Sequence, residues 1–328
     1  MKKSVSLFFL LIIIAFLQGC AQKPHEEALT NVTIAFQEWV GYGPFYLAQE
    51  KGFCKEEGIE LIFVDEQLDS ARRDAFKQGM LDCEGGTIDL LVSKSAQGTP
   101  IVAVMEIDHS FGADAIVAAE NIKKLEDLIG KRVVLARDDV GETLLSVAFY
   151  KKNLRLNNVT IVSGFSEGIA KIFLDGGADA CVTWEPQVSE ALKRPGAHIL
   201  ASTKECSGII IDTLNVRRDL MEGNPGLVKK VMRAWFKSLK YYRLHPDEAS
   251  AIIARYYRIT PEEYRKQVEG LKWYDYEAQT NSLEYKEWID AFNTVAEVKL
   301  ANGRISQKPD VLKHLNHALM EKLYEDSE

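Results

Sequence analysis

The sequence predicts a two-lobed α/β protein that ends in a helical segment, and three observations support this prediction. From Val32 onward, short apolar runs alternate with amphipathic segments of about ten residues, which is the pattern of βαβ units and a mainly parallel sheet. The Phe-x-x-Gly-x-x-Asp spacing of Phe76–Asp82 recurs at Phe173–Asp179, which indicates two units of related topology. After Arg217, helical patterns dominate.

The composition is that of an ordinary globular protein. Of 328 residues, 46% are hydrophobic and 27% are charged, which excludes a disordered, collagen-like or multi-spanning chain. This length is near the upper limit for one compact core, so one large or two medium-sized lobes are expected. The formal net charge of −8 and the lack of a Lys/Arg-rich run argue against a nucleic-acid partner.

The N-terminus predicts export. Lys2 and Lys3 precede an unbroken run of eleven apolar residues, Leu7–Leu17, which is shorter than the roughly 18 needed to cross a bilayer. We interpret residues 1–19 as a signal peptide. The sequence Leu-Gln-Gly-Cys at Leu17–Cys20 resembles the lipobox of bacterial lipoproteins, in which the cysteine becomes the acylated first residue.

This resemblance implies that Cys20 carries lipid and that residues 20–30 form a tether. The protein is then exported and anchored to a bacterial membrane, facing the periplasm or the cell exterior. The alternative is a plain secretory signal followed by an incidental cysteine. The other cysteines are Cys54, Cys83, Cys181 and Cys206, and their spacing leaves their pairing open.

Short apolar runs mark the predicted strands. These strands are Val32–Gln37, Ile59–Val64, Ile101–Glu106, Lys131–Ala136, Val159–Val162, Asp179–Thr183 and Gly208–Asp212. Amphipathic segments mark the helices. Pro44 at the start of the first helix and Gly79 after the second are typical boundary residues. The helices before Arg217 are Pro44–Lys51, Ala71–Gln78, Gly141–Lys152 and Glu167–Leu174. Those after it are Leu227–Leu244, Pro246–Arg258, Pro261–Leu271, Leu283–Leu300 and Pro309–Tyr324.

The sequence contains no familiar catalytic or phosphate-binding motif, so it predicts neither an enzyme nor a cofactor. His314 and His317 lie three residues apart in the last predicted helix. No cysteine or third histidine nearby completes a metal site, so we interpret both as solvated helix surface.

Open α/β sheets bind ligands at the carboxyl ends of their strands, and this rule selects the candidate site. The candidate ligand-binding residues are Glu38, Trp39, Tyr42, Thr87, Asp108, Ser110, Asp139, Thr143, Trp184 and Glu185. Several have an alternative role. Trp39 can pack on the next helix, Asp108 and Ser110 can cap a turn, and Asp139 and Glu185 can cap helices.

Six short motifs follow one another between Val32 and Thr213, over about 180 residues. They are Gly41–Ala48, Gly52–Ile59, Phe76–Gly79, Gly112–Asp114, Asp127–Val133 and Trp184–Pro186. In this order they resemble the solute-binding proteins of nitrate/sulfonate/taurine/thiamine-precursor type ABC importers. The resemblance implies a type 2 periplasmic-binding-protein architecture with solute held between two lobes.

The resemblance also implies how the chain is divided. The first lobe comprises residues 31–113 and 214–328, and the second comprises residues 114–213. Two strands cross between them, near Gly112–Ala119 and Gly208–Val216. The expected partners are an ABC permease and its ATPase subunit, and the protein itself is expected to be a monomer. The alternatives are a related enzyme of thiamine-pyrimidine or menaquinone biosynthesis and a sensory ectodomain.

The charge of the candidate loops points to the class of solute. They carry acids, namely Glu38, Asp108, Asp138, Asp139, Glu142 and Glu185, whose field repels an anion. Trp39 and Trp184 stand beside two of these acids, in opposite lobes. We therefore expect an amine, an amidine or guanidinium, or an aminopyrimidine-like solute, with a sulfonate, nitrate or taurine-type anion as the alternative.

Cys20→Ser tests the anchor. Stable anchoring requires two lipid signals, which acylation of Cys20 would supply. We expect the exported variant to leave the membrane fraction, as followed by cell fractionation and immunoblotting. A variant that still fractionates with membranes would contradict the anchor.

Overall fold

The computed structural model describes residues 28–66, 69–165 and 168–324. The predicted signal peptide and Cys20 lie outside the described residues. The strands are β1 (Thr30–Phe36), β2 (Ile59–Val64), β3 (Cys83–Thr87), β4 (Ile101–Ser110), β5 (Asp114–Ala118), β6 (Arg132–Leu135), β7 (Thr160–Ser163), β8 (Ala180–Trp184), β9 (His198–Ser202), β10 (Ile211–Arg217) and β11 (Leu271–Trp273).

The helices fall into two groups. Those before β10 are α1 (Gly43–Glu50), α2 (Phe53–Glu56), α3 (Asp69–Lys77), α4 (Ile88–Ala96), α5 (Val140–Tyr150), α6 (Ile169–Leu174) and α7 (Gln187–Ala191). Those after it are α8 (Arg218–Gly223), α9 (Pro225–Leu244), α10 (Pro246–Tyr257), α11 (Pro261–Val268), α12 (Tyr276–Gln279), α13 (Ser282–Ala301) and α14 (Ala318–Glu321).

The described strands form two sheets. The first has the order β11-β4-β10-β3-β1-β2, and the second has the order β7-β6-β8-β5-β9. We call the parts of the chain built on these sheets the first lobe and the second lobe. β10 pairs with β3 and β4, so it lies wholly in the first lobe. The boundary predicted after Thr213 therefore falls inside this strand.

The first sheet is covered on both faces because its side chains alternate. Ile34 packs in one core with Phe45 and Trp235 from α1 and α9. Ala35, the next residue, packs in a second core with Leu91 of α4 and Phe292 of α13. Helices from the C-terminal part of the chain therefore complete both faces of the first lobe.

Both sheets are mixed, and the prediction of a mainly parallel sheet was wrong. β1 pairs in parallel with β2 and β3, and β6 pairs in parallel with β7 and β8. β10 and β5 are antiparallel to their neighbours. These two strands lie where the chain passes from one lobe to the other, so they enter each sheet in the reverse direction.

The predicted strand Ile101–Glu106 continues to Ser110 and is buried throughout. Asp108 and Ser110 therefore lie within a strand. The turn-capping alternative holds for Ser110, whose Oγ accepts the Asp114 N–H at 3.2 Å, whereas Asp108 accepts from the Trp39 indole. The predicted strand Gly208–Asp212 begins instead at Ile211 and ends at Arg217. In both places the chain stays extended to reach the other lobe.

The predicted helix Pro309–Tyr324 was also wrong. This segment contains a single 3₁₀ turn, Val311–Lys313, and the short α14. His314 Nδ1 lies 3.0 Å from the Ile101 carbonyl oxygen, and the buried His317 Nε2 lies 2.7 Å from the Gln279 carbonyl oxygen. Both rings fasten the end of the chain to the first lobe, so they are not solvated helix surface.

The four cysteines within the described residues, Cys54, Cys83, Cys181 and Cys206, are buried and unpaired. Burial raises the pKa of the Cys54 thiol to about 12, which keeps it protonated. Among the helices of the described part, none has both the length and the apolar character of a membrane span.

Gly85 tests the packing of the first lobe. A methyl group on Gly85 would lie 2.6 Å from the Tyr42 ring and 2.7 Å from the Phe36 ring, which stack on one another. We expect Gly85→Ala to lower the free energy of unfolding by about 1–3 kcal/mol, measured by urea denaturation. Gly223→Ala is the control, because its methyl group would meet nothing within 4 Å. Equal midpoints for the two variants would contradict this account of the packing.

Candidate functional site

A narrow cleft separates the two lobes where strands of both sheets end. It contains a cavity of about 10 Å³, which is room for about one water molecule. The lining residues are Gln37, Trp39, Thr87, Asp114, Val140, Trp184, Ile210 and Asp212. The walls must therefore separate before a larger molecule can enter.

Trp39 is fixed by a buried carboxylate. Its indole Nε1–H donates a hydrogen bond of 3.0 Å to Asp108 Oδ2. A methyl group at Gly41 would lie 1.9 Å from that oxygen and 2.3 Å from the Trp39 Nε1 atom. Glycine is thus required at position 41 for the close approach of the loop to the Asp108 carboxylate.

Aromatic side chains from the C-terminal part hold the same loop. Tyr257 donates to the Trp39 carbonyl at 2.6 Å, and Tyr264 donates to the Val40 carbonyl at 3.2 Å. Trp273 Nε1–H donates to the Gly41 carbonyl at 3.0 Å. Three consecutive carbonyls are satisfied in this way, so the loop presents Trp39 to the cleft in one orientation.

Two further aspartates accept hydrogen bonds from predicted site residues. The Tyr42 hydroxyl donates a hydrogen bond to Asp212 Oδ1, and both residues are buried. The Thr87 hydroxyl donates to Asp89 Oδ1 at 2.5 Å. Tyr42 thus stands behind a cavity-lining carboxylate, and Thr87 connects the cavity wall to Asp89 at the start of α4.

The buried aspartates resist ionisation. Burial raises the pKa of Asp108 to about 7, although the Trp39 hydrogen bond favours the charged form. Burial also raises the pKa of Asp114 to about 7, and the nearby carboxylates of Asp108, Asp139 and Asp89 raise it further. The pKa of Asp212 is raised for the same two reasons.

The lining of the cavity is acidic and aromatic. Two of its eight residues are aspartates, two are tryptophans, and none is lysine or arginine. A positively charged or donor-rich group here would lower the cost of ionising Asp114 and Asp212. The indole faces would add cation–π or stacking interactions.

The ten predicted site residues divide into three groups. Trp39, Thr87 and Trp184 line the cavity. Tyr42 and Asp108 support its wall from behind. The other five are Glu38, Ser110, Asp139, Thr143 and Glu185.

These five make other contacts or face solvent. Glu38 is exposed. Asp139 accepts the Val140 N–H at 2.7 Å as the N-cap of α5. Ser110 Oγ lies 2.8 Å from Thr203 Oγ1, and the Thr143 hydroxyl lies 3.5 Å from Asp89 Oδ2.

Glu185 is engaged with its own helix. It accepts hydrogen bonds of 3.0 Å from both the backbone N–H and the hydroxyl of Ser189. The geometry supports the capping alternative for this residue. Its selection as a ligand-binding residue stays a prediction.

The strand-end rule missed the two acids that line the cavity. Asp114 is the first residue of β5 and Asp212 lies in β10, so neither follows a strand. An aspartate within an otherwise apolar strand run was the available signal, because a buried acid needs a specific partner. Gln37, directly after β1, also lines the cavity and was not selected.

Comparison with solved structures identifies the fold. The periplasmic aliphatic sulphonate binding protein SsuA from Escherichia coli matches with a TM-score of 0.75 at 18% identity, covering 88% of this chain and 92% of that one. The shared fold, with a cleft between two lobes, is that of the periplasmic binding proteins. The described part of this chain therefore has the fold of the periplasmic binding proteins.

The chain belongs to the NMT1/THI5 like family, whose model matches residues 39–249. Among its relatives is a Bacillus subtilis (strain 168) protein named "Putative aliphatic sulfonates-binding protein", 24% identical over 264 residues, which are 77% of this chain and 78% of that protein. The taurine-binding periplasmic protein of Escherichia coli (strain K12) is 26% identical over 242 residues, 73% of this chain and 72% of that protein.

Asp114→Asn tests the buried charge. With a pKa near 7 in the folded state and about 3.9 in the unfolded state, Asp114 binds more protons when folded. Its contribution therefore favours folding below pH 4 and is lost as the pH rises to 7. We expect the melting temperature of Asp114→Asn minus that of the wild type to increase between pH 5.5 and pH 8.

The control for this pH series is Asp175→Asn. Asp175 is an exposed aspartate of the second lobe, paired with Lys171 at 2.7 Å. Its melting-temperature difference from the wild type should stay constant over the same range. A constant difference for Asp114→Asn as well would show that Asp114 ionises normally.

Proposed function

We propose that this protein is the extracytoplasmic, lipid-anchored solute-binding protein of an ABC importer, and that it captures a small nitrogen-containing cation or donor-rich heterocycle. The observation that carries the proposal is the pairing of Asp114 and Asp212 with Trp39 and Trp184 around one cavity between the lobes. Amines, amidines, guanidinium compounds and aminopyrimidines fit this chemistry.

Electrostatics favours such a solute over an anion. An anion would add negative charge beside carboxylates whose pKa values are already raised by burial and mutual repulsion. A planar cation would instead form ion pairs with the carboxylates and stack on an indole face. Each indole contact contributes about 0.5–2 kcal/mol, and each charge-assisted hydrogen bond about 1.5–3 kcal/mol.

Delivery follows from the two-lobed arrangement. Solute enters when the lobes separate, and closure buries it between walls contributed by both sheets. The closed, loaded protein then passes the solute to a membrane permease driven by a separate ATPase subunit. The Leu-Gln-Gly-Cys sequence at Leu17–Cys20 supports a protein held at the membrane surface beside that permease.

A second candidate is a sulfonate-type anion. The names of the relatives favour it, because they specify aliphatic sulfonates and taurine. Taurine carries an ammonium group as well as a sulfonate, so an acidic cleft could bind its amine end. An alkanesulfonate without an amine separates the two candidates.

Calorimetry with Asp114→Asn tests the solute class. The panel consists of 4-aminopyrimidine, methylguanidinium, taurine, an alkanesulfonate and nitrate, with the protein in a Cys20→Ser background. We expect 4-aminopyrimidine and methylguanidinium to bind to the wild type. Asp114→Asn should bind both at least tenfold more weakly, which is a loss of about 1.4 kcal/mol in binding free energy. Binding to the wild type should strengthen as the pH rises past 7, because Asp114 must be ionised.

Asp175→Asn, which changes an exposed carboxylate in the same lobe, should bind the panel like the wild type. Glu185→Ala tests the strand-end assignment separately, since its carboxylate is bound to Ser189. Tight binding of the alkanesulfonate or nitrate, unchanged in Asp114→Asn, would overturn the nitrogen-solute proposal and support the second candidate.

A further inference from the structure

The end of α13 connects the two lobes away from the solute cavity. α13 packs on the first lobe through Phe292, yet polar side chains at its end contact the second lobe. Lys299 Nζ lies 2.7 Å from Asp138 Oδ1, and Arg304 donates to Glu142 Oε1 at 2.7 Å. Asn302 Nδ2 donates to Ser146 Oγ at 2.9 Å.

Lys299 is paired in both lobes at once. Its side chain is buried, and its ammonium also lies 3.2 Å from Asp89 Oδ2 of the first lobe. If the lobes separated, Lys299 would keep Asp89 as a partner and lose Asp138, whose side chain is partly exposed. Opening would therefore leave the buried Lys299 ammonium paired with Asp89, which makes the Lys299–Asp138 contact reversible.

Asp89 links the interlobe contact at Lys299 to the wall of the solute cavity. Asp89 accepts the Thr87 hydroxyl on one oxygen and faces Lys299 with the other. Thr87 lines the cavity. The chain of contacts Thr87–Asp89–Lys299–Asp138 thus runs from the cavity wall in the first lobe to the second lobe.

We propose that Lys299 and Arg304 form an interlobe latch with Asp138 and Glu142, which stabilises the closed arrangement and raises solute affinity without touching the solute. The role in affinity rests on the proposed solute-binding function. The latch itself concerns only the equilibrium between separated and closed lobes. Apparent affinity scales with the fraction of protein whose lobes are closed. The latch residues would change this fraction without contacting the solute, so they are positioning residues.

Lys299 itself is a poor target for substitution, because its loss would leave Asp89 buried without its cation. The double variant Asp138→Asn/Arg304→Gln instead breaks both charged interlobe pairs by changing partly exposed residues. The buried Glu142 keeps the hydrogen bond of 2.9 Å from the backbone N–H of residue 138. Asp138 has a φ of 56°, in the left-handed region, which asparagine tolerates. The net charge of the chain is unchanged.

The experiment is small-angle X-ray scattering of solute-free protein in the Cys20→Ser background. We expect a larger radius of gyration for Asp138→Asn/Arg304→Gln than for the parent, with the melting temperature monitored in parallel. The control Asp175→Asn/Lys286→Gln removes two exposed pairs within single lobes and should keep the parental radius.

An unchanged radius in the latch variant, or an equal expansion of the control, would overturn the latch. A merely structural role would lower the melting temperature and leave the radius unchanged. Since no solute is present, the result does not depend on the solute class. If 4-aminopyrimidine and methylguanidinium fail to bind while the latch variant expands, the solute proposal is wrong and the latch is supported.

Discussion

The burial of aspartates at the junction of the lobes is the constraint on which the site depends. Burial raises the pKa of Asp89, Asp108, Asp114 and Asp212, and neighbouring carboxylates of this set raise the pKa of Asp114 and Asp212 further. Each charge is costly in a low dielectric unless a donor or cation faces it. The polar contacts around the cleft therefore hold these carboxylates, as the hydrogen bonds from Trp39 and Tyr42 do.

The rest of the first lobe is arranged around these carboxylates. Trp39 and Tyr42 donate to Asp108 and Asp212, so the loop after β1 must run close to both. Gly41 makes this approach possible by leaving no side chain between the Trp39 indole and the Asp108 carboxylate. The aromatic hydroxyl and indole groups of the helical C-terminal part then occupy the carbonyls of the loop. The late helices are thus as necessary to the site as the early strands.

Sequence patterns predicted β1, β2, α1, α5 and α9 closely, because strong apolar periodicity and boundary proline or glycine residues mark them. They did not predict the helix α4 that follows β3. The β3 sequence at Cys83–Thr87 contains two glycines and a glutamate, which is typical of a loop. Its burial depends on tertiary partners, since Lys94 pairs with Glu84 and aromatic rings fill the space beside Gly85. Asp212 was missed likewise, because its partner Tyr42 is 170 residues away in the chain.

The buried acids of the cleft differ in whether the chain itself supplies a cation beside them. Asp89 faces Lys299, an ammonium that the chain supplies itself and that also binds the second lobe. Asp114 and Asp212 line the cavity, where no lysine or arginine stands among the described lining residues. Closure would bring Asp138 of the second lobe onto Lys299 at one point. At another point it would bring the lining acids Asp114 and Asp212 together. A solute cation at the second point lowers the repulsion that closure creates, whereas an anion raises it. Under the proposed function, the same charge balance would couple the lobe contact to the choice of solute.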